Sequence, residues 1–159
     1  MNPDDIRADA VTMCLRTNND TLSVWQCRST NEDIREVMLA IASTMDPIET
    51  MNVVLIKKTD LNANSIAFEG TPQETETPIK ELSNRHFTLI NLTAEQLCSL
   101  ARQIATNVRQ NIDIYRFTQK KLLTFMANAV EDGRLRLNQF YDNAARLKVE
   151  KKLKTKSRN

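Results

Sequence analysis

The feature that most limits the fold is the stretch from Thr93 to Asp132, which contains neither glycine nor proline. It begins with Thr93-Ala-Glu-Gln96, the pattern of a capping box, in which two side chains satisfy the first backbone N–H groups of a helix. Asn111 and Thr118 interrupt an apolar stripe with a spacing of three to four residues, so the pattern predicts either one long helix or two helices that meet near Asn111. The apolar members of the stripe are Leu97, Ala101, Ile104, Val108, Tyr115, Leu122, Phe125 and Ala129.

A second apolar pattern follows Asp132-Gly133, where the glycine favours the end of a helix. Helical spacing on both sides of this break predicts a helical hairpin. We therefore expect residues 93–159 to form a C-terminal helical region that ends in a basic tail. The apolar residues of the second pattern are Leu137, Phe140, Tyr141, Ala144 and Leu147.

Residues 1–92 have mixed patterns that predict an α+β body. Asn2-Pro3-Asp4-Asp5 is a helix-start signal, and alternating apolar residues after it predict a hairpin of strands at residues 10–17 and 21–28. The alternative is a longer first helix, in which residues 3–16 are one helix through Cys14. The next helix is expected to begin after Ser29-Thr30-Asn31 and to stop before Asp46-Pro47.

Three further segments of this body predict strands. Residues 53–56 are a continuous apolar run, residues 65–69 are the expected neighbouring strand, and residues 86–92 alternate apolar and polar side chains. The polar, proline-bounded segment 71–78 predicts a surface loop. Together the patterns predict an α+β fold, in which an antiparallel sheet of about five strands with helices is followed by a long C-terminal helix or helical hairpin.

The counts of glycine, histidine and cysteine exclude several kinds of site. Two glycines, Gly70 and Gly133, are too few for glycine-rich phosphate or dinucleotide loops, and a single histidine, His86, excludes multi-histidine metal sites. No Cys-x-x-Cys occurs, so zinc ribbons and thioredoxin-type motifs are absent. The cysteines, which we expect to be free, mostly buried thiols in a reducing compartment, are Cys14, Cys27 and Cys98.

Two partial motifs resemble functional sites but do not match them completely. Asp60-x-Asn62-x-Asn64 matches the first half of a calcium loop, but Ser65 replaces the glycine of that loop and Thr71 replaces its bidentate glutamate. Cys98 and His86 are interpreted as a core-facing thiol and a histidine at a strand edge rather than as a nucleophile and its base. The sequence thus indicates no catalytic residues, no metal site and no cofactor.

Charge is distributed unevenly along the chain. Residues 134–159 contain nine basic and two acidic residues, which gives +7, and the net charge of the whole chain is +2, so residues 1–133 carry −5. Lysines along a helix and in a tail neutralise phosphates without a pocket, and the basic end therefore predicts a nucleic-acid contact. A solvated helix end and an anionic membrane surface are the alternatives.

The residues expected to contact nucleic acid are Arg146, Lys148, Lys151, Lys152, Lys154, Lys156 and Arg158. Because lysine is a flexible point charge, we expect weak discrimination between nucleic-acid sequences. Residues 148–159 include few apolar side chains, so we expect their deletion to leave the fold intact.

The sequence contains no segment suited to a membrane. The start of the chain is acidic and has no apolar region of the kind found in signal peptides, and the apolar run Met38–Ala42 is far shorter than the ~20 residues of a membrane span. We expect a cytoplasmic protein with no transmembrane segment.

The expected function is that of a non-enzymatic adaptor or regulatory protein that acts through protein–protein contacts, since no pattern supplies a nucleophile, a base and oxyanion donors together. The partner is another protein or a second copy; a homodimer would use the stripe from Leu97 to Phe125, with Asn111 and Thr118 setting its register. Trp25 is either a partner anchor or packed beneath helices, and we favour burial. A small enzyme whose site the linear sequence does not show is the alternative function.

Overall fold

The computed structural model describes residues 20–156, with side chains up to residue 155, and shows an α+β fold. The strands within these residues are β1 (Leu22–Trp25), β2 (Met51–Val54), β3 (Ala67–Gly70), β4 (His86–Ile90) and β5 (Ile114–Phe117). The helices are α1 (Asn31–Ala42), α2 (Lys58–Ala63), α3 (Lys80–Ser83), α4 (Ala94–Gln110), α5 (Gln119–Glu131) and α6 (Asn143–Lys156). The predicted helix start at Asn2 and the strand at residues 10–17 lie outside the described residues.

Helix α1 begins and ends where the sequence predicts. The side chain of Thr30 accepts a hydrogen bond from the backbone N–H of Asp33 at 3.3 Å, which satisfies one of the free donors of the first turn. The helix ends at Ala42, before Asp46-Pro47, and its apolar face is buried through Ile34 and Met38. The prediction of this amphipathic helix is confirmed.

The five strands form two sheets, so the single sheet of about five strands is not found within the described residues. The strand order of the larger sheet is β1–β4–β3, and β3 runs antiparallel to β4 with Phe68 opposite Leu89. The smaller sheet pairs β2 with β5. The expectation that segment 65–69 neighbours segment 53–56 is therefore wrong. An apolar run indicates a buried strand but does not identify the strand that pairs with it.

The apolar stripe from Leu97 to Phe125 is divided between two helices, so of the two predicted alternatives one long helix is wrong and two helices are found. Helix α4 starts with the predicted capping box and ends at Asn111, whose φ of 55° is left-handed, a conformation that asparagine tolerates. Strand β5, which the sequence analysis missed, follows directly. Thr118 is the N-cap of α5 and accepts from the N–H of Lys121 at 3.3 Å.

Helices α5 and α6 pack against each other, and residues 132–142 connect them. Gly133, with a φ of +72°, follows α5 and gives the left-handed residue that commonly ends a helix. The predicted apolar face of the second helix is only partly right. Phe140 is buried, but Tyr141 precedes the helix and is 46% exposed, and Leu147 is 60% exposed. Ala145 and Val149 are the buried residues of α6.

The described residues form two compact units. The first contains residues 20–24, Val53–Thr71 and Phe87–Tyr115, and its core is formed by Ile66, Leu89, Leu92 and Leu100. The second contains Trp25–Asn52, Pro72–His86 and residues 116–156. In the second unit α1 packs against α3 and α5, and α5 packs against α6. The division into a 1–92 body and a 93–159 helical region stays a prediction.

Candidate nucleic-acid interface

A buried carboxylate fixes the start of α6. Asp142 Oδ1 accepts from the N–H of Ala145 at 2.8 Å, and Oδ2 accepts from the N–H of Ile48 at 2.9 Å. Burial raises the pKa of Asp142, but the hydrogen bonds from Ile48, Ala145 and Ala144 outweigh it, and the pKa lies below its ordinary value. The charge is therefore held at the N-terminal end of α6, where the helix dipole also favours it.

The two faces of α6 differ in what they contact. Ala145 and Val149 are buried, and beside them Lys152 Nζ donates to Thr124 Oγ1 of α5 at 2.7 Å. Lys148, Lys151 and Lys154 are exposed. Residues three positions apart share one side of a helix, so these lysines form a single exposed row. We call Lys148, Lys151 and Lys154 the lysine row.

A shallow groove accompanies the lysine row. It has a volume of about 350 Å³ and is lined by Leu147, Glu150, Lys151, Lys154 and Thr155. The exposed side chain of Leu147 adds an apolar contact to this basic surface. Glu150 lowers the positive charge at one edge, where its Oε1 lies 3.8 Å from Arg146 Nε.

The structure separates the seven predicted contact residues into three groups. Lys148, Lys151 and Lys154 are exposed on one face. Arg146 is half-buried beside Glu150, and Lys152 is bound to Thr124. The side chain of Lys156 and the whole of Arg158 lie outside what the structure describes.

Two lysines that the sequence analysis did not select belong to the same region. Lys120 and Lys121 are exposed in the first turn of α5. The Lys152–Thr124 contact places the last turns of α6 next to the first turns of α5, because Thr124 is one turn from Lys120. The signal in the sequence is the Lys120-Lys121 pair, which follows Thr118 and Gln119.

Arg134, which contributes to the +7 of the C-terminal end, is neutralised locally. Its guanidinium donates to both carboxylate oxygens of Glu36 and, through Nε, to Glu81 at 3.1 Å. The hydrogen bonds from Glu36 and then Glu81 raise the pKa of Arg134. This arginine joins α1, α3 and the end of α5 rather than extending the basic surface.

The remaining candidate residues are two cysteines, the histidine, and the aspartate of the partial calcium motif. Cys27 is half-buried, and burial, followed by the nearby charge of Asp33, raises the pKa of its thiol. Cys98 is exposed, so the prediction of a core-facing thiol is wrong. His86 starts β4 as expected but is only 5% exposed. Asp60 lies in helix α2 and accepts a hydrogen bond from Gln103, so this segment is helical rather than a calcium loop.

Within residues 20–156, no group of three or more histidine, cysteine, aspartate or glutamate side chains is arranged to hold a metal ion. In the same residues, no helix has both the length and the apolar character that crossing a membrane requires.

Comparisons of the chain with protein-family models, with curated proteins and with solved structures gave no match.

Proposed function

We propose that this protein is a non-enzymatic adaptor or regulatory protein that binds the phosphate backbone of nucleic acid through the exposed face of α6. The observation that carries the proposal is the lysine row. Three exposed lysines lie along a helix that is held by the buried Val149 and by the hydrogen bonds of Asp142 just before its first residue. A rigid helix presents the charges in a set direction, which reduces the ordering cost of binding.

The geometry of the lysine row suits a phosphate backbone. Lys148 and Lys154 are six residues apart, which is about 9 Å along a helix. Double-stranded DNA carries one charge per about 1.7 Å of its axis, so several phosphates lie within reach of the row. Lys120 and Lys121 supply further positive charge beside it.

The expected binding mode is electrostatic and weakly selective. Each lysine that pairs with a phosphate releases condensed counterions, and the contact carries no information about bases. Residues 1–133 carry a net charge of −5 and are repelled by the negative field of the nucleic acid. Orientations that bring these residues towards the nucleic acid are therefore disfavoured. With about four phosphates neutralised, log affinity is expected to fall with log salt at a slope of about −3 to −4.

The decisive experiment compares charge variants of the full chain in a salt titration. Fluorescence anisotropy with a labelled 20-base-pair DNA and a single-stranded RNA measures affinity between about 20 and 200 mM salt, the range over which counterion release is large. The test variant is Lys148→Gln, Lys151→Gln and Lys154→Gln together. The control is Lys57→Gln, Lys80→Gln and Arg102→Gln, which removes the same charge from other exposed positions.

The triple lysine variant is expected to lose most of the salt slope, while the control keeps it. Equal slopes in the two variants, no binding at about 20 mM salt, or binding to phosphatidylserine vesicles but to neither nucleic acid would overturn the proposal. Deletion of residues 148–159 is not a suitable variant. Val149 is fully buried, so we now expect this deletion to destabilise the fold.

A further inference from the structure

A second groove lies in the same unit as α6 but is built from different elements. Trp25 at the end of β1, Ile41 and Thr44 at the end of α1, and His86 at the start of β4 form one part of its lining. The segment Glu74, Thr75 and Glu76 forms the rest. The groove is open to solvent and has a volume of about 330 Å³. We call it the tryptophan groove.

Two contacts hold Trp25 in the lining of this groove. The Trp25 and His86 rings meet edge to face, with centroids 5.1 Å apart and planes at 78°. The backbone N–H of Gln26 donates to the Arg85 carbonyl at 2.8 Å, which fixes the chain beside both rings. His86 is buried and Trp25 only half-buried, so burial of the tryptophan, which the sequence analysis favoured, is partial.

The lining of the groove also contains two glutamates. Glu74 and Glu76 are exposed, and Tyr141 Oη donates to Glu76 Oε2 at 3.2 Å. The charge of Glu76 raises the pKa of the Tyr141 hydroxyl, mainly through that hydrogen bond. Two carboxylates therefore line a space that also has an aromatic wall and the apolar side chain of Ile41.

We propose that the tryptophan groove binds an arginine side chain from a segment of a partner protein. A guanidinium stacks on the face of an indole ring and presents a flat set of N–H donors to carboxylates. The apolar stem of arginine packs against Trp25 and Ile41, while its charged end faces Glu74 and Glu76. The volume is at the low end for small-ligand sites, about 300–1,000 Å³, which fits one side chain rather than a folded surface.

Arginine suits this lining better than lysine does. The ammonium group of lysine is a strongly hydrated point charge that gains less from an aromatic face than the planar guanidinium. Glu74 and Glu76 both line the groove, and the forked donors of a guanidinium suit a site with two carboxylates. The partner is thus a protein segment with an accessible arginine, and its contact is separate from the lysine row.

Trp25 is the only tryptophan in the chain, so its fluorescence reports on this groove alone. The probes are three acetylated, amidated tripeptides, Gly-Arg-Gly, Gly-Lys-Gly and Gly-citrulline-Gly, titrated at constant ionic strength. Citrulline has nearly the shape of arginine but no charge. Saturable binding is expected for the arginine peptide, with weaker binding for lysine and at least about fivefold weaker binding for citrulline.

Paired variants test the carboxylates. Glu74→Gln with Glu76→Gln is expected to weaken arginine-peptide binding by about fivefold or more. Glu32→Gln with Glu49→Gln removes the same charge from exposed positions outside the groove and is expected to leave affinity unchanged. The triple variant of the lysine row is expected to bind the peptide as the wild type does.

Three results would overturn this inference. They are equal binding of the arginine and citrulline peptides, equal affinity in the two glutamate variants, and no saturable signal from Trp25 fluorescence or calorimetry up to about 50 mM peptide, well above the millimolar range of weak single-site contacts.

Discussion

Helices α4 and α6 have opposite relations between sequence pattern and burial. The apolar stripe of α4 is regular, yet Leu100 is its one fully buried residue, and Val108 near its end is 56% exposed. Helix α6 has a lysine-rich sequence, yet Val149 is 0% exposed. Periodicity identifies which residues share a side of a helix, but the neighbours of the helix decide how much of that side is covered.

The largest expected effect on stability comes from placing a carboxylate at Val149 and comparing it with the same change at Val108. Val149→Asp puts a carboxylate where no water reaches, and we expect a loss of about 4 kcal/mol or more in the free energy of unfolding. Val108→Asp, on an exposed position, is expected to cost less than about 1 kcal/mol. Urea denaturation measured by circular dichroism gives both values.

A second substitution keeps this comparison measurable where the charged variant does not fold. Val149→Ala is expected to cost about 2 kcal/mol through lost packing and the cavity it leaves, against less than about 0.5 kcal/mol for Val108→Ala. Equal losses at the two positions would contradict the difference in burial between α4 and α6.

The next effect tests how α6 begins. Asp142→Ala removes the acceptor of the Ile48 and Ala145 N–H groups and is expected to cost about 2–3 kcal/mol, because it removes a charged acceptor from buried donors. The control is Asp132→Ala at an exposed position, for which we expect a change within about 0.5 kcal/mol.

The pH dependence of Asp142 follows from its lowered pKa. A carboxyl group whose pKa is lower in the folded state stabilises the fold at pH values above its ordinary pKa of 3.8, and this contribution is lost as pH falls through the lowered value. Asp142→Asn is therefore expected to flatten the fall in stability below about pH 4. Urea titrations at each pH give the stability of the two proteins. The same fall in stability below about pH 4 in Asp142→Asn and in the wild type would show that the Asp142 carboxylate does not contribute to the acid dependence.

The smallest effect tests how α4 ends. Asn111 has a left-handed φ of 55°, so Asn111→Ala is expected to cost about 0.5–1 kcal/mol, since alanine tolerates that conformation less well than asparagine. Asn111→Gly, which relieves the conformational restriction, is the matched control and is expected to be neutral or slightly stabilising. Thermal unfolding distinguishes them, and a helix that continued through Asn111 would give the opposite order.

The helix caps and the helix break that the sequence predicted correctly depend on residues that are close together in the chain. The Thr30 cap, the Thr93–Gln96 capping box and the break at Gly133 each involve groups within a few positions along the chain. Strand β5 was missed because Ile114–Phe117 lies between two helical patterns and continues their apolar spacing. Its strand character comes from pairing with β2, about sixty residues earlier in the chain.

The candidate nucleic-acid interface was predictable only where it depends on residues that are close together in the chain. The spacing of Lys148, Lys151 and Lys154 on one helix is a property of the sequence, whereas the Lys152–Thr124 contact joins residues on two helices. Lys120 and Lys121 become part of the region only through that contact. The tryptophan groove was not predictable at all, because Trp25, Ile41, Glu74 and His86 are far apart in the sequence.

The sequence by itself determined the α+β character, the caps and ends of the helices, and the division between an acidic remainder and a basic end, because these depend on local hydrogen bonds and on counts of charges. Only the tertiary structure decided which strands pair, that Val149 is covered while Val108 and Leu147 are exposed, and which side chains meet in a groove. Burial and pairing are decided by contacts between distant segments, and many sequences with the same local pattern are compatible with different contacts.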